Sequence, residues 1–154
     1  MNLRTSLDPL DNQRGQGLTE AAIIISLFVL LSMGIVEFGR AWMVANMITA
    51  AARDGARAMA IVNNDPANRS SDGTISDTVK NAIRVQMKNE IKTVLDSSTV
   101  DAFPPADLEQ ILDPLTGLNV VQVRISGEVP YIFNLVGASS FGIGRQVTFR
   151  DEGR

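Results

Sequence analysis

The chain has 154 residues, 45% of them apolar and 20% charged, with a net charge of −3. That balance offers little to nucleic acid or to an anionic surface as a main partner. The chain contains neither cysteine nor histidine, which excludes disulfides and thiolate metal sites and removes the commonest general base. Catalysis would have to rest on carboxylates, Lys, Ser or Tyr, and we expect no enzyme activity and no cofactor.

Residues 1–15 are polar, and Arg4, Asp8, Asp11 and Arg14 cancel in charge. Asp8-Pro9 reads as a turn or a disordered segment. From Gly15 the pattern predicts one long helix to about Val62, with no proline to interrupt it. At the α-helical rise its length would be roughly 70 Å. Its first half is apolar on every face and its second half is amphipathic, so one end can sit in a bilayer and the other outside it. The uninterrupted apolar run, Ala21–Val36, would cover about 24 Å, somewhat less than the roughly 30 Å of hydrocarbon in a bilayer. Leu18, Phe38, Ala41 and Trp42 extend it, and Trp42 stands where an interfacial aromatic is expected.

A secretory signal peptide fits poorly, because the helical pattern simply continues past the apolar run instead of reaching a small-residue cleavage site. The local residues suit a cut before the run. Gly15 follows Arg14, and Glu20 is the fifth residue counted from Gln16. Gly15, Gly17, Glu20, the Glu37-Phe38-Gly39-Arg40 tetrad and the Ala51–Arg57 stretch AARDGAR, together with Arg14 and Gly34, resemble the N-terminal motif of TadE-like proteins. These are minor pilins or pseudopilins of tight-adherence (Tad) pili. The resemblance covers about a third of the chain.

The resemblance implies a prepilin leader, 1–15, removed after Gly15 by a prepilin peptidase. It also implies a helix, 16–62, embedded in the membrane to about Trp42, and an extracytoplasmic α+β domain, 63–154. The bacterial inner membrane would then be crossed once. The positive-inside rule disagrees slightly, since Arg4 and Arg14 precede the run while Arg40, Arg53 and Arg57 follow it. Orientation therefore rests on the resemblance. Cleavage would leave Gln16 with a positive amino group, which Glu20 could accept from its own or a neighbouring subunit during assembly. The plainer role for Glu20 is a carboxylate in a first helical turn, favoured by the dipole.

Glu37 and Arg40 are three apart and can pair, either at the surface or in a fibre interface. Ala52, Ala56 and Ala60, like Ala41 and Ala45, recur every four residues. That spacing admits another backbone closely, from a neighbouring helix or from the protein's own sheet. Arg53, Asp54 and Arg57 read as a solvated stripe.

Asn63–Pro66 ends the helix. The polar loop 63–75 contains Asp65 and Asp72 but lacks the carboxylate spacing of a calcium loop. A second helix is expected over 77–96, capped by Ser76 or Asp77. Val79, Ile83, Met87 (or Gln86), Ile91 and Val94 or Leu95 would face inward, and Lys80, Arg84, Lys88 and Lys92 would form a solvated basic stripe. Pro105 is placed to open a short helix over 105–112, and 113–117 reads as a turn. Alternation from Asn119 puts Val121, Val123 and Ile125 on the buried face of a strand. A second, bent or edge strand is expected at Glu128–Phe133, a loop at 134–143, and a last strand at 144–151 with Val147 and Phe149 inward.

The expected fold class is therefore α+β: a long N-terminal helix laid on a small antiparallel sheet, with one or two further helices. The expected role is structural, a processed minor pilin or pseudopilin that initiates or decorates a fibre for adhesion or secretion. Its expected partners are other pilin subunits, inner-membrane assembly machinery, the prepilin peptidase and membrane lipid, with no nucleic acid and no small-molecule substrate. One alternative is a permanent single-pass membrane protein with a small partner-binding domain. A weaker one is an anchored hydrolase using Asp107, Glu109 and Asp113.

Overall fold

The computed structural model describes residues 9–63, 65–71, 73–112, 119–133 and 137–150. Helix α1 spans Pro9–Asn63, α2 Asp77–Ile91 and α3 Ser97–Asp101, followed by strands β1 (Asp107–Leu112), β2 (Asn119–Pro130) and β3 (Ser140–Arg150). This is the expected α+β arrangement. The chain divides into two compact units, Met1–Gly39 and Arg40–Arg154.

In the first unit the described structure is α1. The helix starts at Pro9, earlier than the sequence pattern suggested; proline's fixed φ suits a first helical position. Asp8 lies outside the described residues.

The second unit holds the core. The α1 residues Val44, Ile48, Ala51, Ala52, Ala56 and Met59 are buried, recurring at intervals of three, four or seven except for the adjacent pair Ala51 and Ala52. They share a cluster with Ile83, Met87 and Ile91 of α2 and with Leu108, Val121, Val123, Ile125 and Val129 of the sheet. The small residues thus serve the protein's own core: Ala51, Ala52 and Ala56 are fully buried. Gly55 has a sharper reason. A Cβ there would lie 2.1 Å from the Met87 sulfur, so glycine is what lets α2 cross α1 at this point. Arg53, Asp54 and Arg57 are exposed, as expected of a solvated stripe.

The sheet is antiparallel in the order β1-β2-β3. Leu108 faces Val123, and Val123 faces Val147, so these side chains lie on one face. Phe103 packs its ring over Gly127, where a Cβ would come within 2.5 Å of the ring carbons.

Several local expectations are corrected. Residues 105–112 are not helical: Asp107–Leu112 is strand β1. The segment alternates, with Leu108 buried between exposed Asp107 and Glu109. Pairing with β2 satisfies its backbone, so proline's preference for a helix start loses to the sheet. The second helix ends at Ile91 rather than 96. Asp96, read as part of a helix end, is the N-cap of α3 and accepts from the Ser98 amide. Ser76 occupies the N-cap position of α2 but makes no side-chain cap bond there.

The two strands expected at 119–126 and 128–133 are one, because Gly127 keeps its place in the ladder opposite Ile143. Pro130 is the last residue of that strand. The final strand begins at Ser140, inside the expected loop 134–143, of which residues 134–136 lie outside the described residues. Val147 is half-buried against the core, but Phe149, though on the same face, is exposed because it sits at the end of an edge strand. The turn 113–117 also lies outside the described residues.

The basic stripe on α2 is not simply solvated; three of its four members hold the following segment. Arg84 Nε donates to the Ala106 carbonyl at 2.8 Å. Lys88 Nζ donates to the Phe103 carbonyl at 3.4 Å. Lys92 pairs with Asp101 at 2.8 Å. Together these contacts guide the connection between α2 and β1, where α3 alone is too short to be stable in isolation.

Candidate functional site

Two regions carry the residues singled out in the sequence. In the first unit Gly15, Gln16 and Glu20 are helical and exposed. Gln16 Nε2 donates to Glu20 Oε1 at 3.2 Å, and Thr19 Oγ1 donates to the Gln16 carbonyl at 2.7 Å. The Gln16 side chain thus occupies one lone pair of the carboxylate proposed to meet a charged amine. Among the described residues no other side chain would touch a Cβ at Gly15 or Gly17. Glycine inside a helix costs about 1 kcal/mol relative to alanine, and neither position offsets that cost by packing.

The apolar run presents Leu18, Ile23, Ile24, Phe28, Ile35 and Phe38 as exposed side chains. Water would meet a continuous apolar surface far larger than a monomeric protein ordinarily shows. The polar atoms within the run are satisfied locally. Ser26 Oγ donates to the Ala22 carbonyl at 2.7 Å and Ser32 Oγ to the Phe28 carbonyl at 2.8 Å. Such back-bonding is what a hydroxyl needs in a solvent without hydrogen bonds. Glu37 is half-buried and engaged in an interaction of its own.

In the second unit Arg40 reaches the far end of β2. Its two terminal nitrogens donate to the Pro130 carbonyl at 2.9 and 2.6 Å. Pro130 lies ninety positions along the chain and no local pattern marks it as a partner. Its carbonyl ends the strand, and a guanidinium fork is well suited to hold such a terminal acceptor.

The opposite end of the unit has its own polar latch. Asn63, the last residue of α1, is buried and accepts from Gln110 Nε2 on β1. Its carbonyl accepts from Arg69 at 2.7 and 3.1 Å. Helix α1 and strand β2 therefore run antiparallel through the unit, Arg40 beside Pro130 and Asn63 near the β1–β2 ladder. Asp107 and Glu109 are exposed on the outer face of β1 and Asp113 lies outside the described residues, so the carboxylates named for a hydrolase form no described site.

Among the described residues one helix is long and apolar enough to cross a membrane, with none of its apolar stretch buried; followed by a small α+β unit, it fits a membrane-anchored protein. The family model described as TadE-like protein matches residues 15–57. The matched segment is the helix that carries the glycine, Glu20, Glu37-Arg40 and AARDGAR features, and the chain is consistent with a TadE-like protein of the Tad pilus system. That family is structural and pilus-associated. No curated protein and no solved structure matches the chain.

Proposed function

We propose that this protein is a minor pilin or pseudopilin, cleaved between Gly15 and Gln16 and then used to initiate or decorate a Tad-type pilus. The observation that carries the reading is the coincidence of the TadE-like match at residues 15–57 with an apolar helix surface that no described residue covers. Such a surface is satisfied by lipid before assembly and by neighbouring helices after it. The glycine at position 15, which packing among the described residues does not require, is supplied with a reason by peptidase recognition.

In this reading Glu20 exchanges its Gln16 side-chain contact for the new amino group at Gln16 or for that of a neighbour. Glu37 then sits beside the next subunit's helix. Arg40, engaged with Pro130, sets how the domain is carried and contributes to assembly through that placement. The domain lies outside the cytoplasmic membrane, and the partners are other pilus subunits and the membrane assembly machinery.

The test is the N-terminal sequence and intact mass of the protein taken from native membranes or from the cell surface. A start at Gln16, lost when Gly15 is changed to lysine, is the expected result. A start at Met1 would leave a permanent single-pass anchor and refute the processing. A start well after Val36 would mean an ordinary signal peptide.

A further inference from the structure

Helix α1 starts at Pro9 and runs without a break through both Gly15 and Gln16. The bond assigned above to cleavage therefore lies inside a helix. Helical geometry commits the Gly15 carbonyl to the amide four residues on, and the Gln16 amide to the carbonyl four residues back. A peptidase must reach that carbonyl carbon and deliver a proton to that nitrogen, so this part of the helix has to open first.

What holds it closed is weak. Residues 15–20 are all exposed. Their side-chain hydrogen bonds stay within the segment, from Gln16 Nε2 to Glu20 Oε1 and from Thr19 Oγ1 to the Gln16 carbonyl. A short helical stretch without tertiary packing is marginal in water. Gly17 lowers its stability further, since glycine is the poorest helix former after proline. In the membrane-anchored reading the opening stops at Ala21, because unpaired backbone groups are not tolerated in hydrocarbon. Gly17 thus stands between the bond to be cut and the part of the helix that lipid holds shut.

The residues after the bond also suit a helix that starts anew there. Glycine is accepted as an N-cap where alanine is not. With Gly17 as N-cap, Glu20 becomes the third residue of the shortened helix. Its carboxylate can then reach back to the cap amide and meet the positive end of the dipole. In the long helix Glu20 lies eleven residues after Pro9, too far from the start to gain from that dipole.

We propose that Gly17 is a second determinant of processing, which lets the helix open across the Gly15–Gln16 bond and re-form from Gly17 onward. The inference rests on the processing reading above. The partner is the prepilin peptidase and the co-reactant is water. Water adds to the Gly15 carbonyl carbon and the C–N bond breaks; Gly15 keeps the new carboxylate and Gln16 leaves as the protonated amine. Gly17 touches none of the reacting atoms and acts as a positioning residue through the backbone.

The test replaces Gly17 by alanine, serine or asparagine in the full chain. Among the described residues no other side chain lies within reach of a Cβ there, so each variant keeps the fold. Pulse-chase in the native cells follows the ratio of chains beginning at Met1 to chains beginning at Gln16, read by intact mass. Alanine is the smallest of the three replacements, yet the best helix former and the poorest cap.

The expected result is that Gly17→Ala is cleaved about fivefold more slowly than the parent, the change in opened population that the glycine–alanine propensity difference implies. Gly17→Ser and Gly17→Asn should stay within about twofold of the parent. Slowing that grows with size, from alanine through serine to asparagine, would show a steric subsite of the peptidase and overturn the proposal. A single rate for all three variants, parental or slowed, would overturn it as well while leaving cleavage at Gln16 standing. A parent chain that never begins at Gln16 would refute the processing reading itself, and this inference with it.

Discussion

Gly55 is where the packing of α1 on α2 can be tested by a single methyl group. In Gly55→Ala the new Cβ would lie 2.1 Å from the Met87 sulfur, 3.0 Å from its Cγ and 3.4 Å from its Cε. Three atoms along the side chain are met, so a swing of the terminal methyl alone cannot relieve the clash. Met87 is only 2% exposed, and it has no solvent to swing into. Two effects then compete. Removing a mid-helix glycine stabilises by about 1 kcal/mol. Overpacking a filled core costs about 1–3 kcal/mol, with methionine's flexibility favouring the lower part of that range. The net expectation is a loss of roughly 0–2 kcal/mol for alanine. For Gly55→Val, which adds two more carbons and a stiff χ1, the loss should reach about 3 kcal/mol. Met87→Ala alone should cost about 2–5 kcal/mol, but combined with Gly55→Ala it should cost less than the sum, since each change makes room for the other. The assay is urea unfolding of the full chain in detergent micelles, followed by near-ultraviolet circular dichroism. An alanine variant that is more stable than the parent by the full propensity gain, with additive behaviour in the double variant, would refute the close crossing at Gly55.

Two further outcomes follow from the same reasoning. Gly127→Ala places a methyl within 2.5–2.6 Å of three Phe103 ring carbons. It should destabilise by about 1–3 kcal/mol, and Phe103→Leu in the same background should recover part of the loss in the same unfolding measurement. Burial raises the Glu90 carboxyl above its ordinary 4.5, assisted by the Asp54 charge and opposed by a hydrogen bond from Gln86. The folded state therefore holds this proton to a higher pH than the unfolded chain does. Stability is lost as pH rises from about 4.5 through the raised value. Glu90→Gln should accordingly be more stable than the parent at neutral pH, with the difference closing below pH 4.5, as read from unfolding midpoints across that range.

The long helix could be read from sequence because its determinants are local. Continuous apolarity over Ala21–Val36 and a helical period beyond it need no distant partner to be recognised. The glycine, Glu20 and Glu37-Arg40 signatures were legible for the same reason. Alternation in Val121, Val123 and Ile125 likewise marked the buried face of β2 directly.

Elsewhere the outcome depended on residues far apart in the chain. Asp107–Leu112 carries a proline-led helix signal, and only the β2 ladder beside it makes the strand the better home for its backbone groups. Lys88 and Arg84 look like a solvated face until the carbonyls of Phe103 and Ala106 arrive to meet them. Arg40 stands three residues from Glu37 in sequence, but nothing local announces that its fork also reaches the Pro130 carbonyl. Sequence by itself determined that an apolar helix must find a non-aqueous partner and that a small α+β unit follows it. Which strand end Arg40 holds was decided by tertiary contacts alone, because a hydrogen bond across ninety residues leaves no periodic trace in the chain.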